Sequence, residues 1–299
     1  MRQRFQASVM QNSQIESSLG LVSNCWKVQL DSGASLSDLV DRAATEGFRF
    51  VELRQGCLGE CEDPETRLPS ADSLKKLAQD FPEITFDLAV ELPVFSEFID
   101  VSSKTVDAML RGARAISEDT RPAHLRIVDL VSKAVPNGRA DAVVANAAFY
   151  QEDVVDSLRN LKAQLPAGIV SLEHSFQPWS GFRRVFESTS PAGGPLNAAV
   201  QLCYDPCNLW LTDDGENANE ITERLPVEWL SMVHLKQRVD AAISPRLEPG
   251  DVDWPGQLSL LNSAGYTGPF LFETAPSEDV WECLRDSRDY LASIIRGIC

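Results

Sequence analysis

Four residues in the second half of the chain, three carboxylates and one histidine, could together bind a metal. Each follows a short apolar run typical of a buried β-strand. They are Glu173, Asp205, His234 and Glu273. Three buried carboxylates without a cation would repel one another and would be costly to desolvate. A divalent metal removes this conflict, and oxygen-rich ligation with one imidazole favours Mn²⁺, Mg²⁺ or Co²⁺, with Zn²⁺ as an alternative. We therefore predict one metal site, provided that the fold brings the four strand ends together.

The sequence contains three histidines, and a histidine after an apolar strand is by itself more often a packed core residue than a ligand. His124 begins a predicted strand, at the end of the fold away from the proposed chemistry. His174 directly follows Glu173, so the period-two alternation of a strand sends its side chain to the opposite face. We expect both to be structural and only His234 to be a ligand.

Strands and helices alternate from residue 19 to the C-terminal end of the sequence. Apolar runs predict eight strands, at 19–26, 48–54, 84–92, 124–130, 169–174, 199–205, 230–236 and 269–273. Helical periodicity predicts helices at 35–48, 70–81, 102–116, 145–165, 217–225, 254–264 and 277–295. Before the sixth strand, a loop with Trp179 and Gly181 leads into a weak helix that Gly193, Gly194 and Pro195 interrupt.

Eight strand–helix units in 299 residues predict an α/β fold, a single-domain (β/α)8 TIM barrel. We place the barrel at residues 19–299 and a polar N-terminal segment at residues 1–18. A doubly wound sheet is disfavoured because no glycine-rich phosphate loop follows the first strand. Active sites of such barrels lie at the carboxyl ends of the strands. Because the four candidate ligands follow strands five to eight, consecutive strands would bring them together.

An acidic composition limits the partners of this protein. Lys and Arg number 27 against 44 Asp and Glu, and the formal charge of −17 disfavours nucleic acid and anionic membranes. Seven cysteines without a dense pattern favour free thiols in a reducing compartment. The N-terminal segment lacks the apolar part of a secretory signal, and no run of about 18 apolar residues occurs. We expect a cytoplasmic protein.

Short motifs surround the candidate ligands. Besides Glu173 and Glu273 they are Asp205-Pro206-x-Asn208, His234-Leu-Lys236, Gly250-Asp-Val-Asp-Trp254, Gly265-Tyr-x-Gly268 and, early in the chain, Gly47-Phe-x-x-Val-Glu52. Together they resemble the sugar phosphate isomerase/epimerase superfamily, the xylose isomerase-like TIM barrel group that also contains endonuclease IV. The resemblance covers nearly the whole chain, and its most specific motifs lie between Glu173 and Glu273.

The resemblance implies a metal-dependent isomerase or epimerase that acts on a small sugar or keto-polyol. The four candidate ligands would hold one catalytic metal. Glu173 would remove a proton next to a carbonyl and Glu273 would return it, through a metal-stabilised enediolate. Asn208 stands where many relatives carry a histidine that contacts the substrate. Because an amide donates a hydrogen bond but cannot take a proton, that step of the family mechanism is open here.

Four residues are expected to bind substrate, namely Asn208, Lys236, Glu52 and Arg126. Lys236, two residues after His234, should point to the same side and contact a substrate oxyanion, with a rim salt bridge as the alternative. Glu52 and Arg126 lie within predicted strands, where a charge must face the barrel interior or a polar end. A buried ion pair is therefore the alternative for both.

Other functions stay open from the sequence. A lyase on the same scaffold, of the inosose or dehydroshikimate dehydratase kind, begins with the same proton abstraction. A non-catalytic metabolite-binding relative and an endonuclease IV-like nuclease rank lower, the nuclease because its site assembles three zinc ions with several histidines. We expect a small-molecule partner, and the sequence leaves a homo-oligomer open.

Overall fold

Eight parallel strands close into a barrel in the computed structural model, which describes residues 18–95, 99–117, 122–130, 151–175, 177–189, 200–211 and 217–298. Each strand pairs with its neighbours in the sequence, and the last pairs with the first. The strands are β1 Leu19–Val22, β2 Phe50–Arg54, β3 Thr85–Glu91, β4 His124–Val128, β5 Ile169–Glu173, β6 Gln201–Tyr204, β7 Leu230–Leu235 and β8 Phe270–Phe272. The predicted (β/α)8 fold is confirmed.

Nine α-helices lie within the described residues and alternate with the strands. They are α1 Lys27–Asp31, α2 Leu36–Thr45, α3 Ala71–Asp80, α4 Lys104–Ala115, α5 Gln151–Gln164, α6 Trp179–Thr189, α7 Ala218–Arg224, α8 Trp254–Ser263 and α9 Val280–Ile298. Ser35, Ser70 and Ser103 each cap a helix by accepting a hydrogen bond from the backbone amide three residues later. Seven of these helices overlap the seven predicted from periodicity.

The first strand is shorter than predicted and ends at Val22. Ser23–Trp26 instead forms a 3-10 turn that leads into α1. The turn is fixed from both neighbouring strands, since the Ser23 hydroxyl accepts from the Arg54 amide and Cys25 Sγ contacts the Phe272 carbonyl. The apolar residues that suggested a strand are buried in this turn.

The segment before the sixth strand also differs, because Trp179 and Gly181 lie within α6 and not in a loop. Trp179, Phe182 and Phe186 repeat at helical spacing and are all buried. This apolar face outweighs the roughly 1 kcal/mol by which an interior glycine disfavours a helix. The predicted Gly193–Pro195 interruption lies outside the described residues, as does the beginning of the helix predicted at 145–165.

Polar side chains line the barrel interior at two levels. Arg126 on β4 contacts Glu52, which is two strands away on β2, so both side chains point into the barrel. His124 lies two residues before Arg126, points the same way, and contacts Asp87 on β3 and Ser171 on β5. The barrel therefore has one polar level near the amino ends of its strands and another near their carboxyl ends.

No helix in the described part of the chain is both long enough and apolar enough to cross a bilayer. Of the predicted N-terminal segment, residues 1–17 lie outside the described residues, so the division at residue 18 stays a prediction.

Candidate metal centre

The four predicted ligands converge at the carboxyl ends of β5 to β8. We call Glu173, Asp205, His234 and Glu273 the metal cluster. Each contributes one potential ligand atom, these atoms all lie within 4.8 Å of one another, and all four residues are buried. Atoms bound about 2.1 Å from one ion lie at most about 4.2 Å apart, so the most distant of these atoms must approach by at least about 0.6 Å to bind a single metal.

Three members of the metal cluster keep one buried atom that has no aligned hydrogen bond within the described residues. These atoms are Asp205 Oδ2, His234 Nδ1 and Glu273 Oε2. The opposite atom of each carboxylate is engaged: Asp205 Oδ1 accepts from the Cys207 amide at 2.8 Å, and Glu273 Oε1 accepts from Arg54 Nη1 at 2.9 Å. Each side chain is thus held by one atom and offers another, which fits a metal-binding set of three carboxylates and one imidazole.

His234 is oriented by the nitrogen that faces away from the metal cluster. Its Nε2 lies 3.5 Å from Glu52 Oε1 and 3.4 Å from Cys203 Sγ, whereas Nδ1 lies 3.3 Å from Glu273 Oε2. A carboxylate on the far nitrogen fixes the ring orientation of metal-binding histidines. Burial lowers the pKa of His234, but the neighbouring Cys203 and the carboxylates of Glu52 and Glu273 raise it well above the ordinary value.

Glu52 and Arg126 lie beneath the metal cluster. Arg126 donates from Nε to Glu52 Oε2 at 2.9 Å, and its Nη1 donates to Glu173 Oε2. Burial raises the pKa of Glu52, yet the charges of Arg126 and His234 bring it down to about 2. Both side chains are 0% exposed. The structure thus places these two residues in a buried ion pair beside Glu173 and His234, the alternative to the expected substrate contact.

Lys236 and Asn208 lie on the other side of the metal cluster. Lys236 Nζ is 2.5 Å from Asp205 Oδ2 and 2.5 Å from Glu273 Oε2, although neither contact is an aligned hydrogen bond. The same ammonium donates to Asn208 Oδ1 at 3.1 Å, and Asn208 Nδ2 donates to Glu173 Oε1 at 3.0 Å. The structure brings both predicted residues into contact with the metal cluster.

Burial and neighbouring charges act against each other on the three carboxylates. Burial raises the pKa of Glu173, but the Arg126 guanidinium and His234 together more than offset it and leave the pKa lowered. The pKa of Glu273 is also raised by burial and is then brought well below its ordinary value, mainly by Lys236. For Asp205 burial prevails over Lys236, so its pKa is raised.

The other two histidines lie outside the metal cluster. His124 starts β4, as predicted, and its two ring nitrogens face Asp87 and Ser171. His174 Nε2 lies 2.6 Å from the Gln177 carbonyl oxygen, and its ring packs edge-on against Trp179. Cys203, which contacts His234, was not predicted as a site residue. Its position two residues before Asp205 in the predicted strand 199–205 was the available signal.

The comparison with protein families matches the last third of the chain. Residues 194–293 match the family model described as xylose isomerase-like TIM barrel. The predicted resemblance to this family is confirmed. Asp205, His234 and Glu273 all lie within the matched residues. Comparison with curated protein sequences gives no match.

Solved structures share the fold of this chain over nearly its whole length. A structure of IolI protein with a bound zinc atom has 14% sequence identity and a TM-score of 0.64, covering 94% of this chain and 99% of that one. The probable 3-DHS dehydratase AsbF from Bacillus anthracis has 13% sequence identity and a TM-score of 0.63, covering 92% of this chain and 98% of that one. L-ribulose 3-epimerase has 14% sequence identity and a TM-score of 0.61, covering 94% of this chain and 95% of that one. At such identities the likeness shows the fold alone.

Proposed function

We propose that this protein is a divalent-metal-dependent isomerase or epimerase of a small sugar or keto-polyol. The metal cluster carries the proposal, because its ligand atoms lie within 4.8 Å of one another and three of its side chains keep an atom without an aligned hydrogen bond. The fold shared with L-ribulose 3-epimerase supports the reaction class by analogy. The proposed ion is Mn²⁺, Mg²⁺ or Co²⁺, with Zn²⁺ as the alternative.

When bound, the metal would polarise a substrate carbonyl and stabilise the negative charge that proton loss places on its oxygen. Glu173, at the end of β5, and Glu273, just after β8, are proposed to remove and return the proton. Both have lowered pKa values, so both are ionised near neutral pH, as a general base requires. Arg126 and Arg54 each engage one oxygen of these carboxylates and leave the other directed at the site.

Asn208 and Lys236 are proposed to orient the substrate. Asn208 links Glu173 to Lys236 through its amide nitrogen and its amide oxygen. Because an amide does not titrate, Asn208 positions these groups and takes no proton. Lys236 retains 11% side-chain exposure, more than any member of the metal cluster, and its ammonium can meet a substrate oxyanion. Glu52 and Arg126 act through His234 and Glu173 without touching substrate.

Deuterium exchange tests the reaction class. The full-length protein, loaded with Mn²⁺, is incubated in D₂O with a panel of small ketoses and keto-polyols. We expect deuterium at a carbon next to the carbonyl, with the oxygen count of the product unchanged. The variant Glu273→Gln should lose the exchange, and Glu278→Gln, an exposed glutamate five residues later, should retain it. Exchange that persists in Glu273→Gln would contradict the assigned role.

A lyase is the second candidate, because two cations flank the same carboxylate at the carboxyl ends of the strands. Arg54 and Lys236 both contact Glu273, with 19% and 11% of their side chains exposed. Such a pair suits a keto-polyol that carries a carboxylate, and the fold is shared with the probable 3-DHS dehydratase AsbF. Net loss of water from the substrate in the same D₂O incubation would favour this candidate over isomerisation.

Two further functions fit the site less well. An endonuclease IV-like site would need several histidines, whereas the metal cluster contains one, and the formal charge of −17 opposes DNA. Nicking of abasic DNA at physiological salt would reverse this ranking. A non-catalytic metabolite-binding protein would bind the metal without any exchange or turnover across the substrate panel.

A further inference from the structure

Lys236 contacts the two carboxylate oxygens that the proposed metal would need. Its ammonium lies 2.5 Å from both Asp205 Oδ2 and Glu273 Oε2, and neither oxygen accepts an aligned hydrogen bond within the described residues. The other oxygens of these side chains are already engaged, by the Cys207 amide and by Arg54. The lysine and a metal therefore share one pair of acceptor atoms.

An ammonium group and a divalent ion cannot both hold these two oxygens. Two cations within about 4 Å of each other repel strongly where the surroundings exclude water. Lys236 is able to withdraw, because a lysine ammonium sits on a flexible four-carbon stem and this side chain is partly exposed. Asn208 Oδ1, which already accepts from Nζ at 3.1 Å, gives the ammonium a neighbouring acceptor outside the carboxylate pair.

We propose, resting on the proposed metal-dependent function, that Lys236 is an internal competitor of the metal. Its ammonium neutralises Asp205 and Glu273 when the metal is removed, and an incoming metal binds by displacing it. The competition lowers the affinity for the metal below what the metal cluster alone would give. In return, the protein keeps its buried carboxylates paired during metal exchange, which limits the cost of their burial.

The test compares Mn²⁺ affinities of full-length variants after chelator treatment, by titration calorimetry at one fixed pH. Lys236→Met removes the ammonium while keeping a similar stem, and we expect about tenfold tighter binding. Lys236→Arg retains a cation and should not bind more tightly than the wild type. Lys27→Met is the control for net charge, since Lys27 pairs only with the exposed Asp31 among the described contacts, and its affinity should not change.

Thermal unfolding supplies a second readout that does not depend on turnover. Without metal, Lys236→Met should melt below the wild type because two buried carboxylates lose their cation, and Mn²⁺ should raise its melting temperature by a larger interval. Lys236→Gln serves in the same way if the methionine variant does not fold. Wild-type binding of Mn²⁺ with equal or weaker binding by both neutral variants would overturn the competitor role. Failure of every protein to bind any divalent ion would instead remove the proposed function itself.

Discussion

Two polar clusters inside the barrel contrast in how their groups are satisfied. The lower cluster, Asp87, His124 and Ser171, lies toward the amino ends of the strands. His124 uses both ring nitrogens within it, since Nδ1 is 3.2 Å from Asp87 and Nε2 is 2.8 Å from Ser171 Oγ. In the metal cluster, His234 Nδ1 faces two carboxylates and has no aligned hydrogen bond within the described residues.

The contrast separates a structural network from a binding site. The lower cluster has the order of a hydrolase triad, carboxylate to imidazole to hydroxyl, but it lies toward the amino ends of the strands, whereas active sites of such barrels lie at the carboxyl ends. Its groups satisfy one another. The metal cluster gathers three carboxylates on one imidazole and leaves acceptor atoms directed at a common point. Buried polar groups normally make hydrogen bonds, so buried atoms that lack an aligned one within the described residues point to a ligand.

Replacing each of the two histidines by alanine should give the largest difference in metal affinity between variants of the two clusters. His234→Ala removes a ligand, and we expect Mn²⁺ affinity to fall about a hundredfold or more. His124→Ala should lose stability and keep its metal affinity, because its contacts are internal to the lower cluster. Calorimetric titration of both variants measures the difference. Equal losses of affinity would mean that the clusters are not distinct in function.

The carboxylates beside the two histidines give the next comparison. Glu52→Gln weakens the contact to His234 Nε2, and metal affinity should fall about 10- to 100-fold. It also leaves Arg126 with one charged partner fewer, which should cost on the order of 3 kcal/mol in the free energy of unfolding. Asp87→Asn is the matched variant of the lower cluster and should change stability alone. A normal affinity in Glu52→Gln would exclude the orienting role.

The pH dependence of metal binding should report the release of a proton from His234. Its pKa is raised well above the ordinary value of 6.5, so the imidazole holds a proton at neutral pH that a metal at Nδ1 must displace. Affinity should therefore rise with pH from neutrality upward, by about tenfold per unit while this proton is being released. Titrations in buffers of different ionisation enthalpy count the proton. An affinity that stays constant between pH 6 and 8 would contradict this assignment.

The smallest effect is expected from Ser171→Ala. It leaves one nitrogen of the buried His124 without its hydroxyl partner, which should cost about 1 to 3 kcal/mol in the free energy of unfolding. Metal affinity should stay at the wild-type value, since Ser171 does not contact the metal cluster. Urea unfolding and one Mn²⁺ titration check both statements, and a changed affinity would connect the two clusters.

The fold could be predicted because it depends on patterns that repeat along the chain. Apolar runs and helical periodicity predicted the alternation of all eight strands with helices. In a (β/α)8 barrel this order puts four residues at the ends of adjacent strands, namely Glu173, Asp205, His234 and Glu273. The errors occurred where an apolar run does not follow a regular period. The residues of Ser23–Trp26 read as strand but form a turn, because their burial depends on contacts with distant strands.

The contacts within the site were less predictable than its members. The position of Glu52 and Arg126 within predicted strands indicated that their charges face the barrel interior or a polar end. It could not distinguish a substrate contact from an ion pair. That distinction depends on a side-chain contact between β2 and β4, two strands that are separated by β3, which no local pattern encodes. The sharing of Asp205 and Glu273 oxygens by Lys236 likewise depends on side-chain reach across three strands.

Metal binding by the full-length protein tests the central claim most directly. The protein is treated with a chelator and titrated separately with Mn²⁺, Mg²⁺, Co²⁺ and Zn²⁺, while its melting temperature is followed. The metal cluster predicts one ion bound per chain and a rise in melting temperature with at least one of these metals. Glu173→Gln and His234→Ala should both lose the rise. Absence of binding for all four metals, or unchanged binding in both variants, would contradict the account.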